Sequence, residues 1–185
     1  MNLTKEQQSL LDGSKGETMA KVVKTLVMYG EAFDAERMVP VAEGFGHTVI
    51  SFGIGVMTPV YDLYEKLLSA GAVSGQKFTA DPRPLDKNVP SSLLKDIVFR
   101  VMYSQQERYE EQLRKFGLRG ENDYTCACYL PQVGNVPKRG DILSWAESSA
   151  VVYANSELGA RCNRNSGIIE PVSYTHLTLP TISRV

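Results

Sequence analysis

The chain has 185 residues, 43% of them hydrophobic and 22% charged, with 20 Lys and Arg against 21 Asp and Glu for a formal charge of −1. This profile excludes collagen-like, disordered and disulfide-scaffold classes and points to one globular domain. No apolar run reaches a membrane span, no basic and then apolar leader opens the chain, and no Lys/Arg cluster offers a footprint to nucleic acid or an anionic membrane, so neither partner is expected and the cytoplasm is the expected location.

In chain order, Thr4 and Gln7 have capping-box spacing and predict a short helix ending at Asp12-Gly13. Met19, Val22, Val23, Leu26 and Val27 follow helical periodicity and predict a helix over 17–29 closed by Gly30. Met38 to Ala42 reads as a strand, and Gly44-Phe45-Gly46-His47 as a glycine-rich turn. Thr58 as N-cap and Pro59 open a third helix, with Val60, Leu63, Tyr64, Leu67 and Leu68 on one face and Gly71 closing it. Lys77 to Ala80 is a strand running into Asp81-Pro82-Arg83-Pro84. One long helix is expected over 92–116, laced by Glu110/Arg114 and Glu111/Lys115 pairs and ended by Gly117. Tyr124 to Tyr129 is the next strand, and Trp145 to Ser156 a helix closed by Gly159. Helices alternating with short strands indicate an α/β layered fold.

The tail is read differently. Val172-Ser173-Tyr174-Thr175-His176-Leu177-Thr178-Leu179-Pro180-Thr181 resembles a transposase-type sequencing adapter translated in one frame, GTC TCT TAT ACA CAT CTG ACG CTG CCG ACG. Ile182-Ser183-Arg184 fits an index block, and the following adapter bases GTG TAG give Val185 and a stop. Residues 172–185 are therefore expected to be a translated adapter artefact without a native packing partner, and 1–171 the part of the parent gene before a cut at Glu170 or Pro171. His47 is then the one histidine of 1–171.

Several residues suit chemistry. Cys126 and Cys128, two apart on an expected strand, would share a face and could offer thiolates to an iron–sulfur cluster or zinc; plain burial is the commoner explanation of such cysteines. Three cysteines without a leader argue against a disulfide framework. Ser148-Ser149 lies where a helix begins, which suits either capping or a carboxylate or phosphate held by free N–H groups. Arg161-Cys162-Asn163-Arg164-Asn165-Ser166-Gly167 packs two guanidinium groups and two amides into one loop, a composition that grips anions through forked bonds. His47 suits acid/base work, hydrogen bonding to a substrate, or a structural role. A stand-alone module holding a small carboxylate or phosphate without catalysis, and a metal or redox module built on Cys126 and Cys128, remain open on these residues alone.

Leu3-Thr4-Lys5-Glu6, Leu11-Asp12-Gly13, Gly16-Glu17 and Leu26 to Phe33, joined to Thr125-Cys126-Ala127-Cys128-Tyr129 and to Trp145 to Ser156 with Gly159-Ala160-Arg161 and Asn163-Arg164, resemble the large catalytic region of the aconitase X family collinearly over 1–171. The stretch from Trp145 to Arg164 is the specific part. The resemblance implies part of an aconitase-like layered domain and a hydro-lyase that dehydrates a small hydroxy acid, cis-3-hydroxy-L-proline or mevalonate 5-phosphate, with an iron–sulfur cluster. It implies that one of Cys126 and Cys128 is a cluster ligand. His47, Ser148, Ser149, Asn155, Arg161, Asn163 and Arg164 become substrate-binding candidates; many members have Thr where Cys162 stands, so that residue receives no role. The later cysteines and a small swivelling part, fused or separate, would lie beyond the cut, leaving this fragment inactive. The Asn163 to Gly167 segment has the style of bacterial members and leans towards hydroxyproline.

Overall fold

Thr4 closes a capping box with Gln7 and starts α1 (Lys5–Leu11), as its spacing predicts. The structure, a computed structural model, describes residues 1–42, 46–49, 52–85, 90, 92–120 and 123–162, and the backbone of 179–181. Helix α2 (Gly16–Ala32) buries Met19, Val22, Val23 and Leu26. Gly30 does not close it: Gly30 lies inside α2, buried, and the turn away is made by Asp34 at φ 56, a left-handed conformation that Asp tolerates.

Helix α3 (Thr58–Ser69) follows a 3-10 turn over Gly55–Met57, with Met57 rather than Thr58 at the cap. Its buried positions are Tyr61, Tyr64 and Leu67, while Leu63 faces solvent. Tyr61 replaces Leu63 in the core because its hydroxyl donates to the Ile54 carbonyl at 3.2 Å.

The expected long helix is two, α4 (Leu93–Met102) and α5 (Gln106–Phe116). The break has a local cause. Gly53, at φ +83, approaches so closely that a Cβ there would stand 2.2 Å from Gln106 Cα, and the Gly53 carbonyl accepts the Gln105 N–H at 2.9 Å. That contact takes a donor that a continuous helix would have kept. The Glu110/Arg114 and Glu111/Lys115 pairs are present, at 4.0 and 2.9 Å.

A four-stranded sheet runs in the order β3 (Phe78–Ala80), β2 (Gly46–Thr48), β4 (Ile142–Trp145), β5 (Arg161–Cys162), with every pair parallel. Gly46 and His47 are thus strand rather than turn, and Trp145 ends β4 rather than opening a helix. Helix α3 crosses from β2 to β3, and α6 (Ser148–Ser156) crosses from β4 to β5 in the opposite direction. Right-handed crossovers in opposite directions place helices on opposite faces. Two cores match this: one joins Leu26, Tyr64, Phe78, Leu113 and Phe116, the other Cys128, Leu143, Trp145, Ala150 and Ala154. The chain is an α/β layered fold, as the alternation of elements predicts.

Apart from this sheet, β1 (Arg37–Val39) pairs antiparallel with β6 (Leu179–Thr181), Met38 opposite Pro180. Three residues of the tail therefore have a backbone partner; 172–178 and 182–185 lie outside the described residues. Pairing along an open strand edge uses main-chain groups and is indifferent to side chains.

Candidate functional site

In an open parallel sheet, ligands bind beyond the carboxyl ends of strands where neighbouring connections diverge. Here that point lies between β2 and β4. His47 of β2 stands level with Thr79 of β3 and Trp145 of β4, and all three are fully buried. His47 Nδ1 lies 2.9 Å from Thr79 Oγ1, whose hydroxyl donates to the Gly46 carbonyl at 3.3 Å, so the ring nitrogen is the donor to Thr79. His47 Nε2 lies 3.3 Å from Asp81 Oδ1. Asp81 follows directly on β3 and was not singled out by sequence; the signal available was its place between a strand and Pro82. Thr48, at the end of β2, keeps a buried hydroxyl without a hydrogen-bond partner among the described residues.

The start of α6 occupies the same edge, immediately after β4. Glu147, also missed by sequence, is its cap: Oε2 accepts the N–H groups of Ser149 at 2.5 Å and Ala150 at 3.4 Å. Two of the donors that an anionic substrate would use are therefore already taken. Ser148 and Ser149 are exposed at this helix start, with their hydroxyls rather than the helix end as what they offer a ligand.

Asn155 serves the backbone. Its Oδ1 accepts the Cys162 N–H at 3.1 Å, and its Nδ2 donates to the Cys162 carbonyl at 3.0 Å and the Val151 carbonyl at 2.8 Å. Arg161 is exposed and level with Ile142, at the beginning of β4, away from the carboxyl ends. Asn163 and Arg164 lie outside the described residues.

Cys126 and Cys128 do not lie on a strand and do not share a surface: Cys126 is exposed and Cys128 is buried. The chain pairs with β3 only as far as Thr125, whose N–H donates to the Ala80 carbonyl at 2.7 Å. The Thr125 hydroxyl then accepts the Ala127 N–H at 3.1 Å and turns the backbone, which breaks the period of two. Burial pushes the Cys128 thiol far up, and the nearby Asp81, Cys162 and Glu147 push it the same way. Cys162, half-buried in the same small core, donates its S–H to the Trp145 carbonyl at 3.4 Å.

The structure thus gathers His47, Asp81, Glu147, Ser148, Cys128 and Cys162 around the ends of β2, β3 and β4. No three His, Cys, Asp or Glu side chains among the described residues converge to hold a metal ion. The described residues do not by themselves make the iron–sulfur site that the sequence resemblance implies. Among them, no helix is long and apolar enough to cross a membrane.

Three comparisons bear on this site. The family model of the aconitase X first domain matches residues 1–173. The chain is 33% identical over 171 residues to the phosphomevalonate dehydratase large subunit of Methanocaldococcus jannaschii, covering 90% of this chain and 39% of that subunit. A stretch of 38 residues, 20% of this chain and 6% of the relative, is 63% identical to the cis-3-hydroxy-L-proline dehydratase of Hypocrea jecorina. The fold is similar to the crystal structure of Thermococcus kodakaraensis aconitase X in its holo-form, with a TM-score of 0.76 and 28% identity over 97% of this chain and 42% of that one. The chain spans about two fifths of the M. jannaschii subunit and of the solved structure.

Proposed function

Since the chain belongs to the aconitase X family, we propose that residues 1–171 are the N-terminal part of a hydro-lyase that dehydrates a small hydroxy acid, with cis-3-hydroxy-L-proline as its substrate. The observation that carries the reading is the gathering of a buried His47–Asp81 pair, the α6 start and two thiols at one topological switch point. Dehydration needs a proton taken from carbon, a proton delivered to the leaving hydroxyl, and a carboxylate held still. The His47–Asp81 pair, joined at its Nε2–Oδ1 contact, is the acid/base candidate. The hydroxyls of Ser148 and Ser149, with Asn163 and Arg164 following β5, hold the carboxylate. Asn155 positions β5, which leads to Asn163 and Arg164.

The 63% identity over the short stretch shared with the Hypocrea jecorina enzyme supports hydroxyproline. Mevalonate 5-phosphate is the second reading, supported by the match of 171 residues to the M. jannaschii large subunit. Iron–sulfur dependence is part of the family reading. Cys128, beside the strand ends, is the better-placed ligand of the Cys126/Cys128 pair, and the remaining ligands come from the rest of the parent. That parent works in the cytoplasm with a small swivelling subunit or fused domain, and the 185-residue chain alone is inactive. Residues 172–185 are the translated adapter.

The test is dehydration by the protein of the completed gene, purified without oxygen, with each substrate in turn. Water loss from cis-3-hydroxy-L-proline supports the first reading, and water loss from mevalonate 5-phosphate alone transfers it to the second.

A further inference from the structure

Helix α4 is folded with its apolar side outward. At about 100° per residue, Leu93, Leu94, Ile97, Val98, Val101 and Met102 cover roughly half of its circumference. Each of the six is between 46 and 79% exposed, and none of the ten residues of the helix is buried. The side turned to the protein carries Asp96 and Phe99, both half-buried, with Phe99 stacked on Tyr103 at 5.7 Å. An isolated helix shorter than about 12 residues is marginal in water, so α4 needs a partner for its apolar half.

The exposed surface continues past α4. Gly55 lies against Ser104 and the carbonyls of Val101 and Met102, so Val56, 86% exposed, and Met57 extend the same patch. Both halves arise from one edge of the sheet. The Gly55–Met57 turn follows β2, and α4 follows β3 by way of Asp81.

We propose that this face is an inner packing surface, covered in the complete protein by the polypeptide that the relatives carry beyond the matched region. The inference rests on the reading of this chain as part of a longer large subunit. More than half the length of the M. jannaschii subunit lies outside the match, so the covering segment has ample length. The chemistry of the stripe selects it over a swivelling partner. A surface that opens in each cycle meets water repeatedly and is correspondingly polar, whereas half a helix without one polar side chain resembles a core cut in two.

The test places a thiol at Val98 (Val98→Cys), with Val101→Cys as a second site, and measures maleimide labelling on the peptide that carries it. It compares the 185-residue chain with the native protein of the completed gene. Labelling is expected to slow at least about tenfold in the complete protein. Amine cross-links from the neighbouring Lys95 are expected to reach the downstream part of the same large polypeptide. Equal labelling rates overturn the proposal. So do cross-links that reach only the small swivelling part, or a second copy of the chain. Dehydratase activity of the same preparation is read separately, so an inactive protein with a shielded α4 would refute the enzymatic reading and leave this inference standing.

Discussion

Asn155 holds the backbone of Cys162 from both sides, accepting its N–H at 3.1 Å and donating to its carbonyl at 3.0 Å. A side chain on α6 thereby fixes β5, the two-residue edge strand that precedes Asn163 and Arg164 in the chain. Replacing Asn155 with Ala removes three hydrogen bonds at an exposed position, and a loss of about 1–2 kcal/mol is expected in urea unfolding. With Asn163 and Arg164 holding the carboxylate as proposed, Asn155→Ala in the protein of the completed gene should raise KM more than it lowers kcat, because β5, which leads to them, loses its anchor. Unchanged stability would show that the α6 to β5 tie is not maintained.

The thiols should separate by reactivity. Exposed Cys126 is expected to react with an aromatic disulfide reagent in the native 185-residue chain, and Cys128 only on unfolding. Because burial raises the folded Cys128 pKa above its unfolded value, its contribution to stability is complete below the ordinary thiol range near pH 8.5 and is lost as pH rises through and beyond it. The slope approaches about 1.4 kcal/mol per pH unit for one proton. Unfolding at about pH 7.5 and about pH 9.5 should therefore show a shallower fall for Cys128→Ala than for the parent chain. Burial of the Tyr109 phenol, helped by the neighbouring Tyr64, adds the same sign of dependence above about pH 10 in both.

The elements legible in the sequence were those whose cause is local. The Thr4–Gln7 box, the apolar stripe of α2 and the Gly117 stop are each written in residues a few positions apart. The features that escaped depend on partners far along the chain. Gly53 splits α4 from α5 across about fifty positions, and Thr125 turns Cys126 away from Cys128 only because β3 stops pairing there. The site was half legible for the same reason. Ser148 and Ser149 announce a helix start, but Asp81 and Glu147 gain their meaning from the sheet that brings β3 beside β2 and β2 beside β4.

Gly53 tests the helix break directly. A methyl at this position meets the Gln106 backbone, and the positive φ adds strain. Gly53→Ala is expected to cost about 2–3 kcal/mol, in the range of overpacked sites. Gly71, also at positive φ but with open space around its missing Cβ, should cost about 1 kcal/mol when changed to Ala. Similar losses at the two positions in thermal unfolding would contradict the close approach.

The tail is expected to contribute little despite the pairing of Leu179–Thr181 with β1. Ending the chain at Pro171 should change stability by no more than about 0.5 kcal/mol, the scale of neutral surface changes. A larger loss, or strong hydrogen-exchange protection of 179–181, would count against the adapter reading.

The most direct measurement is a dehydratase assay run in parallel on the 185-residue chain and on the protein of the completed gene, both purified without oxygen and both offered cis-3-hydroxy-L-proline. Water loss from the substrate is expected with the completed protein alone, and His47→Ala and Asp81→Ala are each expected to abolish it. Turnover by the 185-residue chain itself, or a completed protein that dehydrates neither cis-3-hydroxy-L-proline nor mevalonate 5-phosphate, would contradict it.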